Sequence, residues 1–243
     1  MFFDVTYLIL VMPAVLFALW ASARVKTTFR KYSSVSTRRN LSGAQAARTL
    51  LDANGLQHIR LECIDGELSD HFDPKNQVIR LSREVYNGTS AASIGVATHE
   101  VGHAIQHQVG YFPIKIRSAI IPLTNIGSRI AMPLILLGLL FLNYNPDLIA
   151  LSYAGIACFG LSTLFQLVTL PTEFNASRRA LRSMEECAFL YDDELDDAKK
   201  VLSAAALTYV AALAVSLMQL FRLLILVSGH RRRARCPKRK DFP

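Results

Sequence analysis

The sequence predicts a mainly α, polytopic membrane protein with about four transmembrane helices and a small α+β domain between the first two. Composition is the first reason: 51% of the 243 residues are apolar and only 19% are charged, with a mean hydropathy of +0.27. The second is distribution, because the apolar excess is gathered into a few long runs, as in a chain that crosses a bilayer several times. The third is charge. Lys and Arg number 27 against 19 Asp and Glu, a net of +8, and the basic residues cluster beside the apolar runs, so they read as membrane-topology charge. A lipid bilayer is therefore the expected partner and nucleic acid is not. Cys63, Cys158, Cys187 and Cys236 form no CxxC pair and lie far apart, which signals neither a disulfide framework nor a thiolate metal site.

A spanning helix needs about 20 mostly apolar residues. Val5 to Ala23 supplies the first, with Trp20 near its end and Arg24, Lys26, Arg30 and Lys31 following. A cleaved signal peptide carries its positive charge before the apolar region, whereas the only early charge here is Asp4, so residues 1–23 read as an anchor. Ile130 to Leu142 is short alone, and the second helix is expected to begin near Ser118 and to carry Arg129. Asn143, Asn145 and Pro146 make a turn, Leu148 to Leu170 is an uncharged third span, and Val201 to Phe221 is a fourth. The resulting organisation is an anchor (1–23), an α+β domain (24–117), a transmembrane hairpin (118–170), a helical segment (171–200), a last transmembrane or re-entrant helix (201–229) and a basic tail (230–243).

Within the α+β domain, Ser42 and Gln45 form a capping box opening a helix that stops at Asn54-Gly55. Ile59, Leu61 and Cys63 alternate with His58, Arg60 and Glu62, the period of a half-buried strand ending at Asp65-Gly66. A second strand fits Asn76 to Leu81. Asn87-Gly88 breaks the chain, and Ser90 caps a helix from Ala91 to about Val109, ended by Gly110.

That last helix carries His99-Glu100-Val101-Gly102-His103, an HExxH pattern on an uninterrupted helix. Imidazoles four residues apart project from one face, about 5 to 6 Å apart at Cβ, and can share one Zn²⁺. Glu100 lies about 100° round the helix from His99, placed to reach a metal-bound water without being a ligand. His107 extends the series, but it sits about 12 Å along the axis from His99, too far for the same ion on a straight helix. It reads as a surface residue or an outer partner of the ligands. A metzincin would need a third His six residues after the second, and position 109 is Val. The helix's Ser93, Thr98, Glu100, Gln106 and Gln108 make it amphipathic, which disfavours a motif buried inside a span.

A catalytic zinc takes three protein ligands and leaves one position for water. Glu173 is the third candidate. Pro171 suits the first turn of a helix emerging from the third span, and Ala176 and Ala180 make a small-residue face that could pack against the HExxH helix. Because the second and third spans form a hairpin, Glu173 returns to the side of His99.

At this point the sequence resembles the YugP-like membrane zinc metallopeptidases and, more distantly, the HtpX-type and CAAX prenyl endopeptidases. The resemblance runs through Asp70-His71-Phe72-Asp73-Pro74, Val78 to Val85, His99 to Gln106, and Glu173 to Ala180. It implies a zincin-like catalytic domain of gluzincin type, a single zinc held by His99, His103 and Glu173, and hydrolysis of peptide bonds. It also implies that the strand Asn76 to Leu81 is an edge that pairs with extended or unfolded substrates, and that the enzyme serves membrane-protein quality control. HtpX-type relatives carry Asp four residues after the ligand Glu, where this chain has Ser177. The outer hydrogen bond is then expected from Asn175 or another residue.

The chemistry expected is a zinc-activated water, with Glu100 as general base and then proton donor to the leaving amine. For the oxyanion the residues offer His71, Tyr111, Arg178 and Arg179, although His71 reads more readily as a loop residue bonded to Asp70 or Asp73. The competing reading is a catalytically silent zinc-binding membrane scaffold whose basic tail docks on anionic lipids. Arg24 to Arg39 after the first span and Arg178, Arg179 and Arg182 after the third favour a cytoplasmic site in the cell membrane, while four spans would send the tail at Arg231 to the other side. A re-entrant last segment, an exceptional tail or an outward-facing domain would each resolve that conflict. The sequence gives no oligomeric state.

Overall fold

The structure is a computed structural model that describes residues 4–142 and 144–235, with side chains described up to residue 230. The expected turn residue Asn143 and the tail beyond Arg235 lie outside the described residues. The elements are α1 (Met12–Ser33, preceded by a π-helical stretch Tyr7–Val11), α2 (Gly43–Ala53), β1 (Arg60–Ile64), β2 (His71–Asp73), β3 (Val78–Ser82), α3 (Arg83–Asn87), α4 (Ala91–Gln108), α5 (Phe112–Leu140), α6 (Ile149–Glu186) and α7 (Asp192–Arg235). Four helices are long and apolar enough to cross a membrane, and only 17% to 28% of the residues in their apolar windows are buried in the protein. Apolar surface on that scale needs lipid to cover it. The chain is a mainly α membrane protein with a small α+β part.

Two compact units divide the chain. The first comprises residues 4–18, 116–168 and 211–235. In it α5 and α6 form an antiparallel hairpin whose backbones approach closely: a Cβ added at Gly155 would lie 2.6 Å from the Ala131 carbonyl oxygen, and Ser152 Oγ donates to the Ile135 carbonyl at 3.0 Å. Close approach through small residues is how helices pack where no hydrophobic driving force separates them from the solvent. Arg222 is buried, with Nε 3.3 Å from Asp4 Oδ1.

The second unit comprises residues 19–115 and 169–210 and contains the HExxH motif. Its sheet has the order β1-β3-β2, with β1 parallel and β2 antiparallel to β3. The strand expected at Asn76 to Leu81 is thus the centre of the sheet, not an edge; Val78, Ile79 and Leu81 are fully buried because neighbours cover both sides. The outer strands are β1 and the short β2, which has no period-2 signature of its own. Arg80 holds the three together, reaching Glu62 at 3.1 Å and Asp73 at 2.9 Å. Cys63, expected on the buried face of β1, is exposed on this outer strand.

α2 carries the full capping box at Ser42 and Gln45, and the Ser90 side chain accepts from Ser93 N at the start of α4. Gly110 then adopts φ +64, a conformation that favours glycine. Three helices depart from the sequence reading. α5 starts at Phe112, six residues before the expected Ser118. α6 runs unbroken from Ile149 to Glu186 with Pro171 inside it, so no new helix begins there; the backbone hydrogen bond that the proline nitrogen cannot donate is tolerated where packed neighbours hold the helix. α7 is one helix from Asp192 to Arg235, without the break a re-entrant segment requires.

α4 is not amphipathic in its setting: 14 of its 18 residues are buried. A Cβ added at Gly102 would lie 2.7 Å from the Ala176 carbonyl oxygen, and one at Gly95 would touch Ala198 at 3.4 Å. The two bare positions let α6 and α7 close on α4, and Ala176 and Ala180 are fully buried in that contact region. The polar residues of α4 serve internal bonds in place of solvent: Thr98 Oγ1, for example, donates to the Ile94 carbonyl at 2.8 Å.

Candidate metal centre

The i, i+4 spacing on α4 sets the His99 and His103 rings edge to face, with centroids 4.8 Å apart. Glu173, two residues beyond Pro171 on α6, meets them. Its Oε2 lies 3.3 Å from His99 Nε2 and 3.4 Å from His103 Nε2. One donor atom from each of the three falls within 4.8 Å of the others, and Glu173 is 2% exposed. This is the only group of three or more such residues among the described residues.

The opposite nitrogens are engaged. Ser177 Oγ lies 3.1 Å from His99 Nδ1, so the residue standing where HtpX-type relatives have Asp supplies this bond itself. Asn175 is not the partner of His99. Its Oδ1 accepts from Arg179 Nε at 2.8 Å and from Gln106 Nε2 at 2.9 Å. Gln106 Nε2 also donates to the Thr172 carbonyl at 2.8 Å. A guanidinium and a carbonyl each permit one role only, so Gln106 must turn its oxygen to His103 Nδ1, 3.0 Å away. An oxygen there accepts, so His103 Nδ1 carries a proton and Nε2 is the nitrogen left for a metal ion. Burial works against the charged form of His103, but the Glu173 carboxylate and the nearby charge of Glu100 outweigh it and raise its pKa above the ordinary value.

Gln106 has a role in this network that the sequence did not assign to it, although it closes the His99–Gln106 segment; its place one turn beyond His103 was the available signal. Gln106→Leu is expected to lower zinc affinity about 10- to 100-fold with the fold retained, measured by chelator competition on the purified protein.

Beside the three residues lies a cavity of about 240 Å³. Glu100 opens onto it and is 8% exposed. Asp70 lines it too, its carboxylate accepting from Ser82 N at 2.7 Å and Ser82 Oγ at 3.1 Å, which ties the start of β2 to the end of β3. Burial pushes the Asp70 carboxyl above its ordinary value despite these bonds, and the charge of Glu100 adds to the rise. Ser177 of α6 and Thr208 and Tyr209 of α7 complete the polar lining. Neither Asp70 nor Tyr209 was nominated from the sequence, since each lies far along the chain from the motif.

His71, His107, Tyr111, Arg178 and Arg179 do not line this cavity. His71 is in strand β2, exposed, with Nδ1 2.8 Å from the Ser69 carbonyl and no bond to Asp70 or Asp73. His107 is exposed on the last turn of α4, its ring 6.1 Å from that of Phe72. Arg178 is exposed, and Arg179 is held by Asn175. Tyr111 likewise contributes nothing to the cavity wall.

The donor set of two imidazole nitrogens and a carboxylate oxygen, with the outer nitrogens already bonded and a cavity open alongside, fits a zinc ion that keeps one position for solvent. No solved structure is significantly similar to the chain. "Putative membrane protease YugP" of Bacillus subtilis (strain 168) is 44% identical over 220 residues, covering 90% of this chain and 96% of that protein. Residues 7–228 match the family described as "Putative neutral zinc metallopeptidase". The converging His99, His103 and Glu173 and this match over most of its length agree, and the chain belongs to that family of zinc peptidases.

Proposed function

We propose that the chain is a membrane-embedded zinc metalloendopeptidase in which His99, His103 and Glu173 hold one ion and Glu100 is the general base. The observation that carries this is the convergence of both Nε2 atoms on Glu173 Oε2 while both Nδ1 atoms are bonded elsewhere. Zinc bound there supplies Lewis acidity toward water and toward the scissile carbonyl. Glu100 takes the proton of the attacking water and returns it to the leaving amine. Ser177 and Gln106 fix the two rings. A developing oxyanion needs a donor inside the cavity; with the nominated arginines and His71 turned elsewhere, the Tyr209 hydroxyl is the donor we assign.

Because β3 is enclosed, an extended substrate has β2 as the strand to extend, whose start Asp70 fastens beside the cavity. Extended or unfolded protein segments near the membrane are the substrates this supports, with quality control of membrane proteins as the setting. The basic residues Arg24 to Arg39, beyond the apolar run of α1, and Arg178, Arg179 and Arg182 on α6 favour a cytoplasmic site.

The test is metal content and casein hydrolysis by the detergent-purified chain. One zinc per chain, with cleavage abolished by a chelator and restored by zinc, supports the reading. A protein without zinc, or cleavage that survives chelation, overturns it.

A further inference from the structure

The cavity beside the metal residues combines polar groups with a larger apolar wall. Beyond His99, Glu100 and Glu173 much of its wall is apolar: Val25 and Phe29 of α1, and Val201, Leu202, Ala205 and Ala206 of α7, with Thr208 and Tyr209 following on α7. The four apolar α7 residues recur at the spacing of one helical face. Phe29, Val201, Leu202 and Ala206 are otherwise buried, at 6%, 1%, 3% and 7% exposed, so they form a packed wall around space that the chain itself leaves open. Ala205 and Ala206 keep it open; larger side chains at either position would reach into it.

An apolar recess with a few polar groups converging at one end is the ordinary form of a side-chain recognition site. Its location adds a second constraint. Val25 and Phe29 follow directly on the apolar run of α1, and Val201 to Ala206 open the apolar run of α7. The wall thus belongs to the membrane-proximal turns of two candidate spans, where the segments available for cleavage are themselves apolar.

We propose that this cavity is a specificity pocket that takes a bulky aliphatic or aromatic side chain from one of the two residues flanking the scissile bond, with Ala205 and Ala206 setting its size. The proposal rests on the peptidase reading and names its substrate class: peptide segments with a large apolar residue beside the cleaved bond, such as those at the edge of a membrane span. Removing such a side chain from water into the recess, in register with Glu100, favours these substrates over those carrying Ala at the same position by about 10- to 100-fold in kcat/KM.

The experiment uses the detergent-purified, zinc-loaded full chain and a peptide mixture randomised on both sides of a central bond, with cleavage positions read by mass spectrometry. Enrichment of Leu, Ile, Met or Phe at one flanking position supports the pocket. Ala206→Leu then lowers the kcat/KM ratio of Leu over Ala peptides about 10- to 100-fold while zinc content is retained. Phe29→Ala, which enlarges the recess, shifts preference the other way, toward Trp over Leu, and keeps the question answerable if Ala206→Leu does not fold. Cleavage without side-chain preference, or both variants lowering all substrates in proportion, overturns the pocket and leaves the peptidase reading standing. Absence of zinc and of any cleavage in the wild type overturns the peptidase reading, and the pocket with it.

Discussion

Glu100→Gln is expected to keep its zinc and lose peptide hydrolysis by about 10²- to 10⁴-fold in kcat, with KM little changed. Glu100 is not among the three converging residues, and it opens onto the cavity from the turn that carries His99. Gln has the same length and can still hydrogen-bond a water, but it cannot accept a proton. Binding of the metal and the fold should therefore survive while the proton transfer fails. The check is zinc stoichiometry alongside initial rates on casein and on a short peptide. If hydrolysis persists at a tenth or more of the wild-type rate, Glu100 is not the base; if zinc is lost as well, its part is to hold the metal.

Glu173→Ala is expected to cost at least about 100-fold in zinc affinity and, through it, activity at limiting zinc. The residue contributes the one negative charge in the group, and His99 and His103 both face its Oε2. Ala suits the interior of α6, so helix formation is not at risk. The variant loses the carboxylate and leaves the imidazoles in place, held by Ser177 and Gln106. Chelator competition reads the affinity, and circular dichroism confirms that the helices remain. Wild-type zinc affinity in Glu173→Ala would remove Glu173 from the ligand set and point to Asp70, which with Glu100 supplies the remaining carboxylates on the cavity.

Both predictions concern residues that the sequence already singled out, and the reason is locality. His99, Glu100 and His103 lie close together on one helix, so an i, i+4 spacing is enough to bring the two imidazoles to one face with Glu100 beside them. Glu173 was legible by a different route: two spans between it and the motif make an even number of crossings, which returns it to the same side. The spans themselves follow from runs of apolar residues, and the Ser42, Gln45 and Ser90 caps from bonds that reach three residues. All of these are short-range or one-dimensional facts, and a sequence contains them outright.

What the sequence could not supply is which distant segments meet. The strand at Val78–Ser82 has the composition of any short buried strand, and whether it sits at the edge or the centre depends on β1 and β2 arriving on its two sides. Pro171 predicts a helix start by local rules, yet α6 continues through it because surrounding helices hold the backbone. The polar residues of α4 suggested a solvated face, yet Ser93, Thr98, Glu100 and Gln106 are buried and only Gln108 among them is exposed. Gln106 acquired its part only through Arg179 and Asn175, about 70 residues on, which fix the direction of its amide. The sequence by itself determined the membrane character, the helix that carries the motif and the three residues that converge. Tertiary structure alone decided the strand order, the partners of the two imidazoles and the cavity between α1 and α7, because each is a contact between segments whose separation along the chain leaves no local trace.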